Sequence, residues 1–278
     1  MKRLLILLLA ALTLLTLGCH KTPDAGLRVT VLDVGQGDAT LLCAAGKFML
    51  VDTGSAFASE ELMRQLEANG VEKLDYLVLT HPHEDHVGNA RRVLAELDVE
   101  TLIATTAITV DLGYELILQT ARERGVQVRV MRAGDGFWLA EAGCTVLWAG
   151  ENAEDWNNSS MVLRVAYGET VFLFMGDVEA EVEEALLASV PAELDCDFLH
   201  VGHHGSDSST TAAFLEAATP QLAVVGCGEN NSYGFPHMQV RDRLAAVGAT
   251  LWRTDLDGAV MFESDGTCVR FVGKTRGE

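Results

Sequence analysis

The chain has 278 residues, with 40 acidic against 20 basic side chains and a formal net charge of −20. A surface this acidic repels phosphate backbones over about a Debye length, ~8 Å at physiological salt, which excludes avid, non-specific nucleic-acid binding by the surface as a whole. With 49% hydrophobic residues and no Pro-, Gly- or Ser-rich linker, the chain can bury a sizeable core and reads as one folded unit.

At the N-terminus, Met1-Lys2-Arg3 precedes an almost wholly apolar run from Leu4 to Leu17. That run is shorter than the ~20 residues of a spanning helix and reads as an export signal over residues 1–18. Gly18-Cys19 suggests a lipoprotein cleavage box, although Thr16 stands where an aliphatic residue is usual. Cys19 would then carry the lipid, residues 19–26 would form a tether, and 27–274 would fold outside the cytoplasmic membrane, lipid-anchored or secreted. Loss of residues 1–18 leaves 18 basic and 40 acidic side chains, a net charge of −22. The other five cysteines form no Cys-x-x-Cys, so neither a zinc knuckle nor a thioredoxin-like motif is expected; Cys43, Cys144 and Cys227 read as small core residues.

Further along, short β-rich runs are predicted as strands at Leu27–Leu32, Thr40–Cys43, Phe48–Val51, Tyr76–Leu79, Thr101–Ala104, Val126–Val130 and Cys144–Trp148. More follow at Met161–Ala166, Thr170–Phe174, Phe198–Val201, Leu222–Val225, Thr250–Trp252, Ala259–Glu263 and Cys268–Phe271. Helices are predicted over Ala58–Ala68, Asn89–Leu97, Leu112–Arg124, Glu179–Ser189, Thr211–Ala218 and Gln239–Val247. In the fourth of these, Val182, Ala185 and Leu186 share one face and the acids are expected on the other. Many strands with intermittent helices suggest an α+β fold of two sheets covered by helices.

The chemistry concentrates where strands end. His81-Pro82-His83-Glu84-Asp85-His86 follows the run Tyr76–Leu79 and packs three imidazoles and two carboxylates into six positions. Imidazole with carboxylate is the donor set of a hydrolytic divalent-metal site; Glu84 reads as a solvated loop residue. Gly176-Asp177 closes another apolar run, where Asp177 reaches a cleft or caps the following helix. His203-His204-Gly205-Ser206 follows Phe198–Val201, and His200 points back into the strand as a core or supporting histidine. Asp52 ends Phe48–Val51, either opening a turn or accepting a proton from a metal-bound imidazole. Asp33, Gln36 and Asp38 lie in the Gly-rich loop Leu32–Ala39; Asn158 and Ser159 lie in Asn157–Leu163; His237 ends Asn231–His237.

The spacing His81-x-His83-x-Asp85-His86 resembles the signature of the metallo-β-lactamase superfamily. Together with the Leu32–Ala39, Asn157–Leu163, His203–Ser206 and Asn231–His237 segments, it closely resembles the metallo-β-lactamase-like domain of ComEC-type DNA-uptake proteins, from about Leu27 to Ala259. The resemblance implies a four-layer αββα sandwich holding two divalent metal ions, Zn²⁺ or Mn²⁺. His81 and His83 would bind the first ion, Asp85 and His86 the second, Asp177 would bridge them, and His203 would complete the set, with His204 as the alternative or a substrate contact. Asp52 would orient a ligand, and Asp33, Gln36, Asp38, Asn158, Ser159 and Ser206 would stand behind the ligands or touch substrate. Asp85 and Asp177 would orient the attacking hydroxide, and His237 would protonate the leaving oxygen or hold a phosphate oxygen. One departure is visible: no histidine lies between His86 and Asp177, where the family places a third imidazole for the first metal. That place falls near Asn157-Asn158-Ser159, whose oxygens favour a weaker or Mn²⁺-like ion. The expected activity is hydrolysis of DNA or another phosphodiester. The rivals are a hydrolase of small esters, lactones or lactams, and a non-catalytic surface lipoprotein that binds DNA or an envelope partner.

Overall fold

The computed structural model describes residues 26–105, 112–150 and 155–276. The expected export signal, the Cys19 lipidation and the tether up to residue 25 lie outside the described residues.

The described strands are β1 (Leu27–Val31), β2 (Thr40–Ala44), β3 (Lys47–Val51), β4 (Lys73–Val78), β5 (Asp98–Ala104), β6 (Gln127–Val130), β7 (Gly136–Leu139), β8 (Ala142–Ala149), β9 (Met161–Tyr167), β10 (Thr170–Phe174), β11 (Phe198–His200), β12 (Leu222–Val225), β13 (Thr250–Arg253), β14 (Val260–Ser264) and β15 (Val269–Lys274). They form one sheet in the order β15-β14-β1-β2-β3-β4-β5-β6 and another in the order β13-β12-β11-β10-β9-β8-β7. Strands β3 to β6 run parallel, as do β10 to β13. The helices are α1 (Ser59–Ala68), α2 (Glu84–Val87), α3 (Ala90–Glu96), α4 (Leu112–Glu123), α5 (Ala180–Ser189), α6 (Ala212–Ala218), α7 (Met238–Ala246) and α8 (Thr254–Asp257).

Alternation along the strands sorts the core into three layers of contact. Phe172 and Phe174 face the first sheet, joining Val29, Leu42, Met49 and Phe262. Leu173, between them, faces α5 to α7 with Val182, Leu215 and Leu244. On the first sheet, Val78 points to the other sheet while Leu77 packs on α1, α3 and α4 through Leu62, Val93 and Ile117. Strands apolar on both faces read as continuous runs, which is why Val171–Met175 carries no polar residue. The result is the expected four-layer αββα sandwich. Phe198, fully buried between the sheets, is expected to cost about 3–5 kcal/mol on truncation to Ala.

Four local readings needed correction. Strand β7, only four residues long with Trp138 exposed, had no legible pattern. The short helices α2 and α8 were not anticipated. Glu183 does not lie on the solvent face of α5: it is buried and accepts the Thr210 and Thr211 backbone N–H groups ahead of α6. None of the five described cysteines forms a disulfide; Cys144 and Cys227 are buried, and Cys43 is half-buried.

Both parallel segments end on the same edge. There the Met161 N–H donates to Thr80 O at 2.9 Å, tying the two sheets together, and the His203 N–H donates to Gly176 O at 2.9 Å, joining the ends of β10 and β11 where the polar residues gather.

Candidate metal centre

Strand β4 delivers Thr80 and His81, and the chain then turns into α2 with His83 at its N-cap. This helical turn, rather than an open loop, projects Asp85 and His86 inward. Glu84 is not simply solvated, since its carboxylate accepts the Ala56 N–H at 2.8 Å and the Ser55 hydroxyl at 3.2 Å. The Gly35–Asp38 loop packs directly on this turn. A Cβ on Gly37, whose φ is +137°, would collide with Asp85 O, so only glycine allows that approach.

Two sets of donors meet at Asp177. His81, His83 and Asp177 form one; Asp38, His86, Asp177 and His204 form the other, with the candidate atoms of each set within 4.8 Å of one another. His81 Nε2 lies 2.9 Å from His83 Nδ1 and 3.5 Å from Asp177 Oδ2. His86 Nε2 lies 3.2 Å from Asp177 Oδ1 and 3.3 Å from His204 Nε2. Asp85 Oδ2 is 3.2 Å from His204 Nε2.

The outer nitrogens set the direction of the inner ones. His86 Nδ1 faces Asp52 Oδ2 at 2.8 Å, and Thr80 holds that carboxylate through its N–H (2.8 Å) and its hydroxyl (2.6 Å). His81 Nδ1 donates to the Thr80 oxygen at 3.1 Å. His204 Nδ1 faces Gly226 O at 3.0 Å and Asp38 Oδ1 at 3.5 Å. The outer nitrogens are thus occupied, and the Nε2 atoms of His81, His86 and His204 converge on Asp177, free to act as donors to a cation once any proton there is released. Asp38 is fully buried behind His204 rather than beside its Nε2, so it backs an imidazole more readily than it binds a cation.

Burial pushes the His81 and His83 pKa values down, helped for His81 by the neighbouring His86. Burial opposes protonation of His86 and His204 as well, but Asp177 with Asp52 or Asp38 outweighs it and raises both well above the ordinary value. Burial also opposes ionisation of Asp177 and Asp85, yet the surrounding imidazoles hold both below the usual carboxylate range. No Lys or Arg among the described ion pairs neutralises Asp38, Asp52, Asp85 or Asp177. Buried Asp177 Oδ1 has no aligned hydrogen-bond donor. Convergent imidazole nitrogens, an unsatisfied carboxylate oxygen and carboxylates with no Lys or Arg partner fit divalent cations of the Zn²⁺ or Mn²⁺ type.

The other expected residues divide sharply. The resemblance points to His203 as the last ligand, with His204 as the alternative, and the candidate donor set contains His204. His203 sits partly exposed at the rim, with Nε2 3.9 Å from Asp177 and Nδ1 3.2 Å from Glu179. The cause is local: His203 and His204 have φ of +48° and +52°, and this left-handed pair swings the second ring inward. Asp52 (φ +59°) shares the conformation, so backbone strain gathers at the centre. The side-chain contacts of Asn158 and Ser159 brace their own loop: Asn158 bonds Asp155 and the Glu179 N–H, and Ser159 bonds Trp156 O. Asp33 pairs with Arg276 at 2.9 Å, Gln36 accepts the Gly228 N–H at 3.2 Å, and Ser206 bonds Ser208 at 2.9 Å. His237 is held at both ring nitrogens, taking the Asp207 N–H at 3.0 Å and donating to Tyr233 O at 3.1 Å, which leaves neither free for a leaving group. Buried His200 lies 3.7 Å from Asp38, as a supporting histidine would. Sequence reasoning missed Thr80, Ser160 (whose hydroxyl takes the Asp177 N–H at 3.0 Å) and Gly226. No local signal marked them, because their partners lie on other strands.

A four-layer αββα fold with imidazole and carboxylate at its strand ends defines a metallo-hydrolase class. The chain belongs to the metallo-beta-lactamase superfamily, whose family model matches residues 32–229. It is similar to ComE operon protein 3 of Bacillus subtilis (strain 168), 32% identical over 253 residues, which cover 84% of this chain and 32% of that protein. It is also similar to competence protein ComA of Neisseria gonorrhoeae, 33% identical over 241 residues, covering 86% and 33% respectively. The chain thus spans about a third of the length of these ComEC-type relatives. Among solved structures, the metallo-beta-lactamase fold protein YhfI from Bacillus subtilis superimposes with a TM-score of 0.55 at 15% identity, covering 82% of this chain and 95% of that one. A diphosphatase from the PhnP family does so with 0.51 at 14% identity, covering 81% and 94%. These two likenesses concern the fold.

Proposed function

We propose that this chain is an exported, metal-dependent phosphodiesterase acting on DNA. The observation that carries the reading is Asp177, shared by the His81/His83 set and the His86/His204 set. Its position suits a bridge between two cations, with His204 in the place expected of His203. Two divalent ions so held would supply an activated water and clamp the attacking and leaving oxygens of an in-line displacement. The chain's own residues do the rest. Asp52 holds the outer nitrogen of His86, Gly226 O that of His204 and Thr80 that of His81, and Asp85 stands beside His204 where it can orient an incoming nucleophile.

The DNA substrate is supported by the names of relatives: competence protein ComA, and recombination protein 2 of Haemophilus influenzae, 30% identical over 241 residues. Export and lipidation at Cys19 rest on the N-terminal sequence. No helix of the described residues is long and apolar enough to cross a membrane.

Elemental analysis of purified protein, paired with cleavage of single- and double-stranded DNA under Mn²⁺, Zn²⁺ and Mg²⁺, tests the activity. Wild type should carry metal and cut, and Asp177→Ala should do neither. Failure to cleave any phosphodiester with all three ions would sink the reading. Labelled palmitate entering wild type but not Cys19→Ala would test the anchor separately.

A further inference from the structure

The loop after β12 raises a row of rings from the metal centre to solvent. Phe235 lies over His204, with centroids 6.2 Å apart and planes 29° apart. Tyr233 stacks on Phe235 at 5.2 Å and 11°. Tyr233 is 62% exposed at the outer end of the row. Across the centre, half-buried Trp156 packs against His83 at 5.2 Å.

The row is held in place. Asn231 donates its amide to Phe235 O at 2.8 Å and to Gly228 O at 3.0 Å, and accepts the Phe235 N–H at 2.9 Å. The His237 ring ties Tyr233 O to the Asp207 N–H. His237 is therefore a positioning residue for this loop. A ring fixed beforehand loses little freedom when something stacks on it.

Scattered exposed apolar side chains are ordinary. A near-parallel Tyr233–Phe235 pair at the solvent end, with Phe235 tilted over an imidazole of the candidate metal centre, is a directional feature. Its chemistry suits a flat heteroaromatic ring, and each nucleobase stacked on an aromatic side chain gains roughly five- to hundredfold in affinity whatever its sequence. Charge strengthens the case. A chain of net charge −20 forgoes most of the counterion-release term that usually drives nucleic-acid binding, so uncharged contacts must hold the strand. Only an unpaired base offers its face; a duplex keeps its faces stacked inside.

Resting on the phosphodiesterase reading above, we infer that Tyr233 and Phe235 form a base platform that selects single-stranded nucleic acid. The platform takes a base beside the scissile phosphate, and Trp156 bounds the strand on the opposite side.

The test uses the full chain and thymidine oligonucleotides carrying one 2-aminopurine, whose fluorescence falls on stacking. Wild type should quench it and bind with a shallow dependence on salt. Tyr233→Ala should weaken binding about tenfold and abolish quenching, while Tyr233→Phe retains both. With metal, the cleavage ratio of a thymidine oligonucleotide to an abasic one of equal length should fall about tenfold in Tyr233→Ala. Unchanged affinity and quenching in Tyr233→Ala, or equal binding of the abasic strand by wild type, would overturn the platform. Base-dependent binding without cleavage under Mn²⁺, Zn²⁺ or Mg²⁺ would support the platform and overturn the phosphodiesterase reading, so the two failures are distinguishable. Thermal melts of Tyr233→Ala check folding, which an exposed ring should not disturb.

Discussion

The two donor sets of the candidate metal centre are built from the same residue types but differently supported. In the second half, His86 and His204 are fully buried and each has a carboxylate at its outer nitrogen, Asp52 at 2.8 Å and Asp38 at 3.5 Å. In the first, His81 has only the Thr80 hydroxyl there, and His83 is partly exposed beside Trp156. Burial acts against charge in both halves, yet the nearby carboxylates reverse its effect only in the second. A carboxylate behind an imidazole makes it a more basic and better-oriented donor. The second half should hold its cation tightly and the first more loosely, an asymmetry that matches the missing histidine between His86 and Asp177.

The strongest blow to both halves should be Asp177→Ala. On the proposed reading, bound metal should fall to background and kcat/KM for phosphodiesters should drop by at least about 10³-fold, since Asp177 is the residue common to both candidate donor sets. Retention of one tight metal would show that the halves are independent. Next come His204→Ala and His203→Ala. The first should weaken the tight metal by about 10²-fold, the second by less than about tenfold, as measured by competition with a chelating dye. Equal losses would restore His203 to the ligand set.

Asp52→Asn should act more gently, lowering the affinity of the second half by about 10- to 100-fold while sparing the first. The smallest effect is protonic. Because His86 and His204 are raised well above 6.5 and His81 and His83 are lowered, filling the second half near pH 7 should release protons and filling the first should not. Calorimetry in buffers of different ionisation enthalpy separates the two. The same shifts set metal-free stability. A raised histidine contributes stability that is fully present below its unfolded value, near 6.5, and lost as pH rises through its folded value. The metal-free melting temperature should therefore fall with rising pH above about 6.5 on this account, and added metal should flatten that fall.

Much of this was legible in the chain itself. Runs such as Val171–Met175 and Tyr76–Leu79 spelled buried strands, and the polar residues that close them, Asp52, His81, Asp177 and the His203-His204 pair, marked one edge as chemical. What escaped reading had its cause elsewhere in the chain. Glu183 looked like a surface acid until α6 was placed over it. His237 reads from the sequence as a proton donor or phosphate contact, whereas Tyr233 O and the Asp207 N–H occupy its two nitrogens.

The sequence by itself determined the α+β class, the order of the strands and helices other than β7, α2 and α8, and the stock of imidazoles and carboxylates, because periodicity and residue type are local properties. Tertiary structure alone decided which histidine faces Asp177, which carboxylate stands behind which ring, and that Tyr233 and Phe235 rise beside them. Those choices depend on left-handed backbone at His203 and His204 and on contacts such as His86 to His204, 118 positions apart, where no local pattern can reach.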